Sequence, residues 1–243
     1  MERSRQEIYN SPRQKLAWVQ HLAKARFKRP HRKTVQAWLP YIPAHGVVLD
    51  VGAHFGYIAK ELAALHQGTV EVIAFEPIEY CYTILERIAA RRPNIKIEYV
   101  ALSDSNGQVD ISIPVKKSGR LGIGLSHIGA EQDRDYIIEP VAVRKLDDYV
   151  AEAGLAGLDF IKADVEGAEG LVLRGGAETI KRFKPAIILE ISDAFCQRMN
   201  YRAADIFDQL EALGYQAQDY QPGESFRPCQ GYNGPNDYLF TCP

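Results

Sequence analysis

The sequence has no apolar run that approaches the length of a bilayer-spanning helix, so we expect no transmembrane segment. The stretch MERSRQEIYN at residues 1–10 has no apolar signal core, and we therefore expect a cytoplasmic protein. Only four cysteines occur in 243 residues, and none forms a C-x-x-C pair, which predicts reduced structural thiols. A net charge of -2 argues against general binding to nucleic acid.

Basic residues are concentrated near the start of the chain. Residues 1–45 carry ten Lys and Arg side chains against two acidic ones, whereas the rest of the chain is acidic. We predict an N-terminal helical extension over 1–45, helical over 6–40 with a break near Pro30, and one domain over 46–243. Such a basic arm can pack on its own domain, touch an anionic membrane surface or mediate a homodimer, and the sequence leaves these three roles open.

Apolar runs alternate with helical patterns from residue 47 onwards, which predicts a parallel sheet with helices on both faces. Residues 103–145 interrupt this rhythm with extended segments and a glycine-rich stretch, so we predict a β-rich insertion after the third strand that serves as a substrate lid. We predict parallel strands over 47–51, 70–75, 95–102, 158–163 and 186–191, and an antiparallel pair over 215–220 and 237–241.

The stretch VVLDVGAHFGYIA at 47–59 is the most informative in the sequence. An apolar strand ends at Asp50 and passes through Gly52 and Gly56 into a helix, and α/β proteins bind nucleotides at such turns. A dinucleotide fingerprint needs a middle glycine so that pyrophosphate can approach the backbone, but His54 stands there. A carboxylate under the turn would also repel phosphate and attract an amine or sulfonium. The pattern therefore argues against NAD or FAD.

Polar side chains follow the second and third predicted strands. Glu76 comes about 20 residues after the glycine turn, where a carboxylate can accept both hydroxyls of a ribose. Ser103 and Asp104 fall where an adenine ring would lie, and Leu102 can pack on that ring. Glu76 could instead be a surface turn residue, and Asp104 could simply start a turn. Taken together, these positions fit S-adenosylmethionine, which is an adenosine without phosphates that carries a sulfonium and an amino acid.

At these motifs the chain resembles the FkbM-type S-adenosylmethionine-dependent methyltransferases. The matching stretches are DVGAHFGYIA at 50–59, FEP at 75–77, ALSD at 101–104, LDFIKADVEGAEGLVLRGG at 158–176 and PAIILEIS at 185–192. With the resemblance we expect a doubly wound, Rossmann-like class I methyltransferase sheet of about seven strands. The resemblance implies transfer of methyl from S-adenosylmethionine, typically to a hydroxyl of a sugar, glycan or secondary metabolite, so the expected partner is a small-molecule or glycan acceptor.

The cofactor is expected to contact the glycine turn and residues at the carboxyl ends of four predicted strands. The predicted cofactor-binding residues are Asp50, Gly52, Ala53, His54, Phe55, Gly56, Tyr57, Glu76, Pro77, Leu102, Ser103, Asp104 and Asp164.

Three charged residues near the end of the fourth parallel strand are the candidate catalytic residues. Lys162 and Asp164 alternate along the strand and share a face, and Glu166 follows in the loop. Methyl transfer to an alcohol needs in-line approach and loss of the hydroxyl proton, so we predict that Asp164 or Glu166 takes the proton or orients the acceptor. Lys162 would hold a neighbouring carboxylate ionised. In a purely structural alternative, Lys162 pairs with Glu190 and Glu169 caps the next helix.

Other chemistry is compatible with the same residues. Glu190 and Asp193 lie near Asp164, and carboxylates at strand ends can hold magnesium, as in the catechol-type O-methyltransferases, although we assign no residue as a metal ligand. His54 and His127 are alternative proton acceptors. A non-catalytic module that binds an adenosyl ligand would keep the same fold. An NAD(P)-dependent reductase would need the missing glycine and a Tyr-x-x-x-Lys donor, and the sequence has neither.

Overall fold

The computed structural model of the chain describes residues 1–128, 134–221 and 225–243. In these residues twelve strands form two sheets, and ten α-helices pack around them. The strands are β1 (Val47–Val51), β2 (Glu71–Phe75), β3 (Ile95–Glu98), β4 (Ala101–Leu102), β5 (Gly107–Pro114), β6 (His127–Ile128), β7 (Tyr136–Arg144), β8 (Phe160–Ala163), β9 (Ala186–Ile191), β10 (Gln216–Gln221), β11 (Ser225–Pro228) and β12 (Asn236–Thr241). The helices are α1 (Arg5–Asn10), α2 (Pro12–Phe27), α3 (Arg32–Ala37), α4 (Ala59–Leu62), α5 (Glu79–Ala89), α6 (Leu146–Ala153), α7 (Glu169–Gly175), α8 (Ala177–Phe183), α9 (Asp193–Cys196) and α10 (Ala203–Ala212).

The larger sheet has eight strands among the described residues, in the order β11-β10-β12-β9-β8-β1-β2-β3. Strands β3, β2, β1, β8 and β9 are parallel, whereas β12, β10 and β11 continue the sheet with antiparallel pairing. The chain winds outwards from β1 in one direction and then returns to place β8 on its other side. This is a topological switch point, where open α/β sheets bind ligands at the carboxyl ends of the strands. The predicted sheet is confirmed, with eight strands rather than about seven.

Both faces of the central strands are buried, because alternate residues point to opposite faces. Leu49 and Val51 of β1 pack in the cluster that contains the apolar residues of α6, α7, α8 and α10. Val48, the residue before Leu49, packs in the cluster that contains residues of α3, α4 and α5. The sheet is therefore covered by helices on both sides, which leaves its carboxyl edge as the place for a ligand.

The insertion after the third strand forms a second sheet, with the order β4-β7-β5-β6 among the described residues. Strands β5 and β7 pair antiparallel from Gly107 opposite Val143 to Pro114 opposite Tyr136. The prediction of one strand over 95–102 was wrong, because the backbone bends at residues 99–100. Strand β3 pairs with β2, but β4 pairs with β7 in the second sheet. The β-rich character of the insertion is as predicted, its role as a lid stays a prediction, and its Gly129 lies outside the described residues.

The N-terminal arm, residues 1–45, contains three α-helices rather than one helix broken only near Pro30. A second break lies at Ser11, whose hydroxyl accepts a hydrogen bond from the Gln14 amide at 3.2 Å. Pro12 follows at the first position of α2. A serine cap followed by proline is a typical start of a helix, so the sequence did contain this signal.

Charged contacts hold the arm on the rest of the chain. Arg29 donates to both carboxylate oxygens of Glu61, at 2.6 to 3.0 Å. The Lys60 side chain is buried, and its ammonium donates to the backbone carbonyls of Ala25 and Lys28 at the end of α2. A cation there also interacts favourably with the helix dipole. The arm therefore packs on its own domain, which is one of the three roles that the sequence left open.

Two expectations about composition can be compared with the structure. All four cysteines are free, as predicted from their spacing. Within the described ranges, no helix is both long enough and apolar enough to cross a membrane.

Removing the Lys60 ammonium is expected to loosen the arm. In Lys60→Met the apolar stem is kept, but the carbonyls of Ala25 and Lys28 lose their donor, at a cost of about 1.5–3 kcal/mol. Chymotryptic cleavage at Phe27, beside this contact, should become about tenfold faster if local opening limits cleavage. Lys15→Met removes an exposed lysine of the same arm and should leave the rate unchanged. Equal rates in the wild type and Lys60→Met would contradict this role of Lys60.

Candidate active site

A cavity of about 320 Å³ lies at the carboxyl ends of β1, β2 and β8, at the switch point of the sheet. Small-molecule sites commonly have about this volume or more. The cavity wall brings together most of the residues predicted from sequence. These are Gly52, Ala53, His54, Tyr57, Glu76, Pro77, Leu102, Ser103, Lys162, Asp164 and Glu166.

Two of the predicted cofactor residues with acidic side chains lie away from this wall. Asp50 is fully buried behind the glycine turn. Asp104 pairs with Arg174, with an Nε to Oδ2 distance of 3.1 Å, and is partly exposed. Neither side chain is placed to touch a ligand in the cavity, and we assign Asp50 a role in support of the site.

Phe55 and Gly56 of the glycine turn also lie outside the cavity wall. The Phe55 ring stacks on His21 of the arm, with ring centroids 4.9 Å apart. Gly56 has a φ of +75°, and a Cβ there would lie 2.8 Å from a methyl carbon of Leu85. These two residues therefore shape the turn and its packing, whereas Ala53, His54 and Tyr57 face the cavity.

The glycine turn packs directly against the end of β8. Gly52 has a φ of +77°, and a Cβ at this position would lie 2.1 Å from the carbonyl oxygen of Asp164. Only glycine avoids that clash and adopts this φ without strain. The next residues of the turn place the His54 amide 2.8 Å from Oε2 of Glu76. The turn thus joins the ends of β1, β2 and β8 around one cavity.

Glu76 is a buried carboxylate in the cavity wall. Its Oε2 accepts from the His54 amide and its Oε1 accepts from the Ile78 amide, at 2.8 and 2.9 Å. Burial raises the pKa of Glu76 to about 7, although the two backbone donors oppose that effect. Each carboxylate oxygen has a second lone pair that a hydroxyl group can use. The arrangement can therefore accept two hydroxyls from a ligand in the cavity.

Lys162 is the cation at the centre of the site. Its Nζ lies 3.5 Å from Oδ1 of Asp50 and 3.5 Å from Oδ2 of Asp164, and it donates to the carbonyl of Gly52 at 3.3 Å. Burial opposes the charge on Lys162, but Asp164 and Asp50 outweigh burial and raise its pKa. The partners of Lys162 are thus Asp50 and Asp164 rather than Glu190, the partner in the structural alternative.

The carboxyl groups beside Lys162 differ in their protonation. Burial would raise the pKa of Asp164, but Lys162 and a hydrogen bond with Glu190 outweigh burial and lower it. Burial and the charge of Asp164 raise the pKa of Glu190 to about 8. Glu166 has a φ of +56°, and burial together with Asp164 raises its pKa to about 7. Asp164 is therefore ionised at neutral pH, whereas Glu166 and Glu190 titrate near it.

Glu169 supports the loop after β8 and does not line the cavity wall. Its Oε1 accepts from the amides of Val165 and Gly167, at 2.9 and 3.4 Å. Gly167 has a φ of +103°, and a Cβ there would lie 2.5 Å from the carbonyl oxygen of Phe195. Glu169 thus holds the conformation of the loop that carries Glu166.

The groups named as alternative bases or metal ligands have other surroundings. Burial lowers the pKa of His54 to about 4, so that its ring is neutral and a weak base. The side chain of His127 lies outside what the structure describes. Asp193 accepts hydrogen bonds from the Ala203 amide and the Gln197 side chain. Within the described ranges, no group of three or more His, Cys, Asp or Glu side chains is arranged to hold a metal ion.

Parts of the cavity wall come from the arm, which the sequence did not assign to the site, and from the insertion, whose wall residues it did not single out. His31 of the arm lines the cavity, and the second sheet and its loop contribute Ile111, Ile123 and Val143. The alternating pattern of β5 indicated a half-exposed strand, and β7 was predicted only as extended, but neither pattern says what an apolar face covers. For His31 the only local signal was its place just after a proline at the start of a helix.

Comparison with protein families and curated proteins gives consistent matches. Residues 50–217, more than half of the chain, match the model of the methyltransferase FkbM domain. The 2-O-methyltransferase NoeI of Sinorhizobium fredii is 30% identical over 157 residues, which cover 60% of this chain and 63% of NoeI. The 31-O-demethyl-FK506 methyltransferase FkbM of Streptomyces tacrolimicus is 27% identical over 69% of this chain and 68% of its own length.

The chain spans less than two thirds of the length of some relatives. It covers 63% of NoeI, and 10% of the AMB antimetabolite synthetase AmbE of Pseudomonas aeruginosa, which is 26% identical over 206 residues.

Solved structures share the fold at low sequence identity. Methyltransferase FkbM from Methylobacillus flagellatus aligns with a TM-score of 0.52 and 15% identity, over 94% of this chain and 59% of that one. A putative methyltransferase from Streptococcus mutans in complex with SAH aligns with a TM-score of 0.50 and 9% identity, over 88% of this chain and 97% of that one. These likenesses concern the fold alone, and they confirm the Rossmann-like methyltransferase sheet.

Proposed function

Because the chain belongs to the FkbM family of methyltransferases, we propose that it transfers methyl from S-adenosylmethionine to a hydroxyl of a small-molecule or glycan acceptor. The observation that carries the proposal is the buried Glu76 carboxylate in the wall of a cavity at the switch point. Oxygen as the acceptor atom is supported by two relatives whose names, 2-O-methyltransferase and 31-O-demethyl-FK506 methyltransferase, specify it.

The residues around the cavity fit an adenosyl group without phosphates. Glu76 can accept the two ribose hydroxyls, and Leu102 and Ser103 line the side where the adenine would lie. His54 replaces the middle glycine that a pyrophosphate would need, and the ionised Asp164 favours a positively charged ligand. When bound, S-adenosylmethionine supplies a methyl group on a sulfonium, which an oxygen nucleophile can displace.

Two of the predicted catalytic residues act mainly by fixed charge and position in this proposal. Lys162 holds Asp164 ionised, which makes Asp164 a weak base but a good acceptor of a hydrogen bond from the substrate hydroxyl. Glu166 also lines the cofactor cavity, where it can adjust the local charge because its pKa is about 7. Catalysis is thus largely positioning of the acceptor for in-line displacement.

The proposal predicts that the protein binds S-adenosylmethionine and S-adenosylhomocysteine in calorimetry and transfers labelled methyl to an acceptor from a panel of hydroxylated compounds. Asp164→Asn should lower kcat about tenfold, since one charge-assisted hydrogen bond to the acceptor is lost, with the affinity for S-adenosylhomocysteine, which lacks the sulfonium charge, nearly unchanged. The exposed Asp208→Asn is the matched control and should retain full activity.

Three results would count against these assignments. Preference for a dinucleotide over S-adenosylhomocysteine would overturn the cofactor, and binding without methyl transfer to any acceptor would favour the non-catalytic module. A fully active Asp164→Asn variant would remove Asp164 from the proposed role.

A further inference from the structure

A second, smaller cavity adjoins the cofactor cavity. Its volume is about 100 Å³, and it lies between the arm and the carboxyl ends of β8 and β9 and the start of β12. Four residues line both cavities and therefore mark the place where they meet: His31, Ile58, Lys162 and Asp164. The small cavity also has wall residues of its own, which include Thr34, Trp38, Glu190 and Asp237.

The small cavity carries both donors and acceptors of hydrogen bonds. Trp38 is 2% exposed, and its indole Nε1 has no hydrogen-bond partner among the described residues. Glu190 and Asp237, which lie opposite each other on β9 and β12, bring carboxyl oxygens. A buried donor without a partner is costly, and a ligand oxygen can satisfy it. A hydroxyl group both donates and accepts, so it matches this wall, and the volume holds about three water-sized groups.

Only one of the four shared residues is suited to accept a proton. Ile58 has no titratable group, and Lys162 is a cation without a free lone pair. Asp164 is held ionised by Lys162 and is a weak base. Glu166 lines the cofactor cavity but not the small one among the described wall residues. This leaves His31, whose ring makes no hydrogen bond among the described residues and faces Tyr57 at 6.1 Å between ring centroids.

His31 is surrounded by charges of both signs. Burial lowers its pKa most, Lys162 lowers it further, and the nearby carboxylates raise it. The imidazole is therefore neutral at pH 7 and free to take a proton. Its charged sequence neighbours in the arm are Arg29, Arg32 and Lys33, and Tyr57 lies beside its ring. Glu61 of α4, Asp50 of β1, and Lys162 and Asp164 of β8 act on its pKa. Glu190 of β9 and Asp237 of β12 line the small cavity with it.

We propose that the small cavity receives the hydroxyl-bearing group of the acceptor and that His31, from the N-terminal arm, accepts the hydroxyl proton. This inference rests on the proposed function. In the transfer step the acceptor oxygen forms a bond to the methyl carbon while the bond from that carbon to sulfur breaks. The electron pair of the broken bond stays on sulfur, which becomes a neutral thioether, and the hydroxyl proton moves to an imidazole nitrogen of His31. The arm is thus part of the active site.

The test uses the difference in charge between S-adenosylmethionine and S-adenosylhomocysteine. If His31 lies close to the methyl group that is transferred, the sulfonium should repel the protonated form of His31. The pKa of His31 measured by NMR should then be about 1 lower with S-adenosylmethionine than with S-adenosylhomocysteine. His31→Gln identifies the resonance. His21, a histidine of the same arm that bonds to the Tyr80 hydroxyl and lines neither cavity, is the internal control and should titrate alike in both complexes.

Kinetics provide a second readout once the acceptor panel yields a substrate. At saturating S-adenosylmethionine, His31→Gln should lower kcat about a hundredfold and remove the loss of kcat at acid pH, with the affinity for S-adenosylhomocysteine unchanged. The exposed His45→Gln should be fully active. If both ligands bind, this inference would be overturned by equal His31 pKa values in the two complexes or by full activity of His31→Gln. Failure of both ligands to bind would instead overturn the proposed function, and this inference with it.

Discussion

Replacing Glu76 by alanine is expected to weaken the binding of S-adenosylmethionine about a thousandfold. The carboxylate lies in the cavity wall and is held in place by the amides of His54 and Ile78. Two hydrogen bonds from ribose hydroxyls to a charged acceptor are worth about 1.5–3 kcal/mol each, and a loss of about 4 kcal/mol corresponds to this factor. Isothermal titration calorimetry with S-adenosylmethionine and S-adenosylhomocysteine measures the change directly.

The pH dependence of binding gives a second signature of Glu76. Its pKa of about 7 in the free protein means that part of the population is protonated near neutral pH. Ribose hydroxyls are best accepted by the ionised form, so affinity in the wild type should rise as the pH increases from 6 to 8. In Glu76→Ala this contribution should disappear.

Glu79→Ala is the matched control for Glu76→Ala. Glu79 lies three residues further along the chain and pairs with Arg5 at 3.3 Å, and it is absent from the described wall of the cofactor cavity. The control should bind S-adenosylhomocysteine as the wild type does. Unchanged affinity in Glu76→Ala, or an equal loss in the control, would remove Glu76 from the cofactor site.

The core of the site was predictable because its signals are local. The strands β1, β2 and β8 are short and largely apolar, and Gly52, Glu76 and Asp164 follow directly after them. Parallel strands bring such ends to one edge of a sheet. Gly52 indicated from the sequence a tight turn that another group approaches closely, and the structure shows that the carbonyl of Asp164 is one such group. Spacing along the chain therefore sufficed to collect Gly52, Glu76 and Asp164 around one cavity.

The contribution of the arm could not be predicted, because it depends on contacts between distant segments. The bond from Lys60 to the carbonyl of Ala25 and the pairing of Arg29 with Glu61 join residues more than 30 positions apart. No periodicity in the sequence reports such a pair. The position of His31 at the junction of two cavities follows from this docking and not from its own neighbours in the sequence.

The second sheet shows a different limit of prediction from sequence. Its alternating pattern was visible, but an apolar face does not say what it covers. The short strand β4 shows the same limit, because its pairing with β7 rather than β2 depends on the bend at residues 99–100. The apolar side chains of Ile111 and Val143 therefore became site residues only when the fold was known.

Replacing Lys162 by methionine is expected to lower the free energy of unfolding by about 3–5 kcal/mol at pH 7. Asp50 is fully buried, and neither of its carboxylate oxygens has a hydrogen-bond partner among the described residues. The Lys162 ammonium, 3.5 Å away, offsets the cost of that buried charge. Methionine fills a similar volume but brings no charge, so the carboxylate would be left uncompensated in the core. Urea unfolding followed by circular dichroism measures the loss.

If the buried charge of Asp50 causes this loss, Asp50→Asn in the Lys162→Met background should restore most of the stability, because the amide is neutral and nearly isosteric. Burial already raises the pKa of Asp50, and loss of the ammonium should raise it further. The penalty belongs to the ionised form, so it is present above that pKa and disappears as the pH falls through it. The stability difference between Lys162→Met and the wild type should therefore shrink between pH 8 and pH 5. A difference independent of pH, which Asp50→Asn does not relieve, would show that Lys162 acts through packing rather than through Asp50.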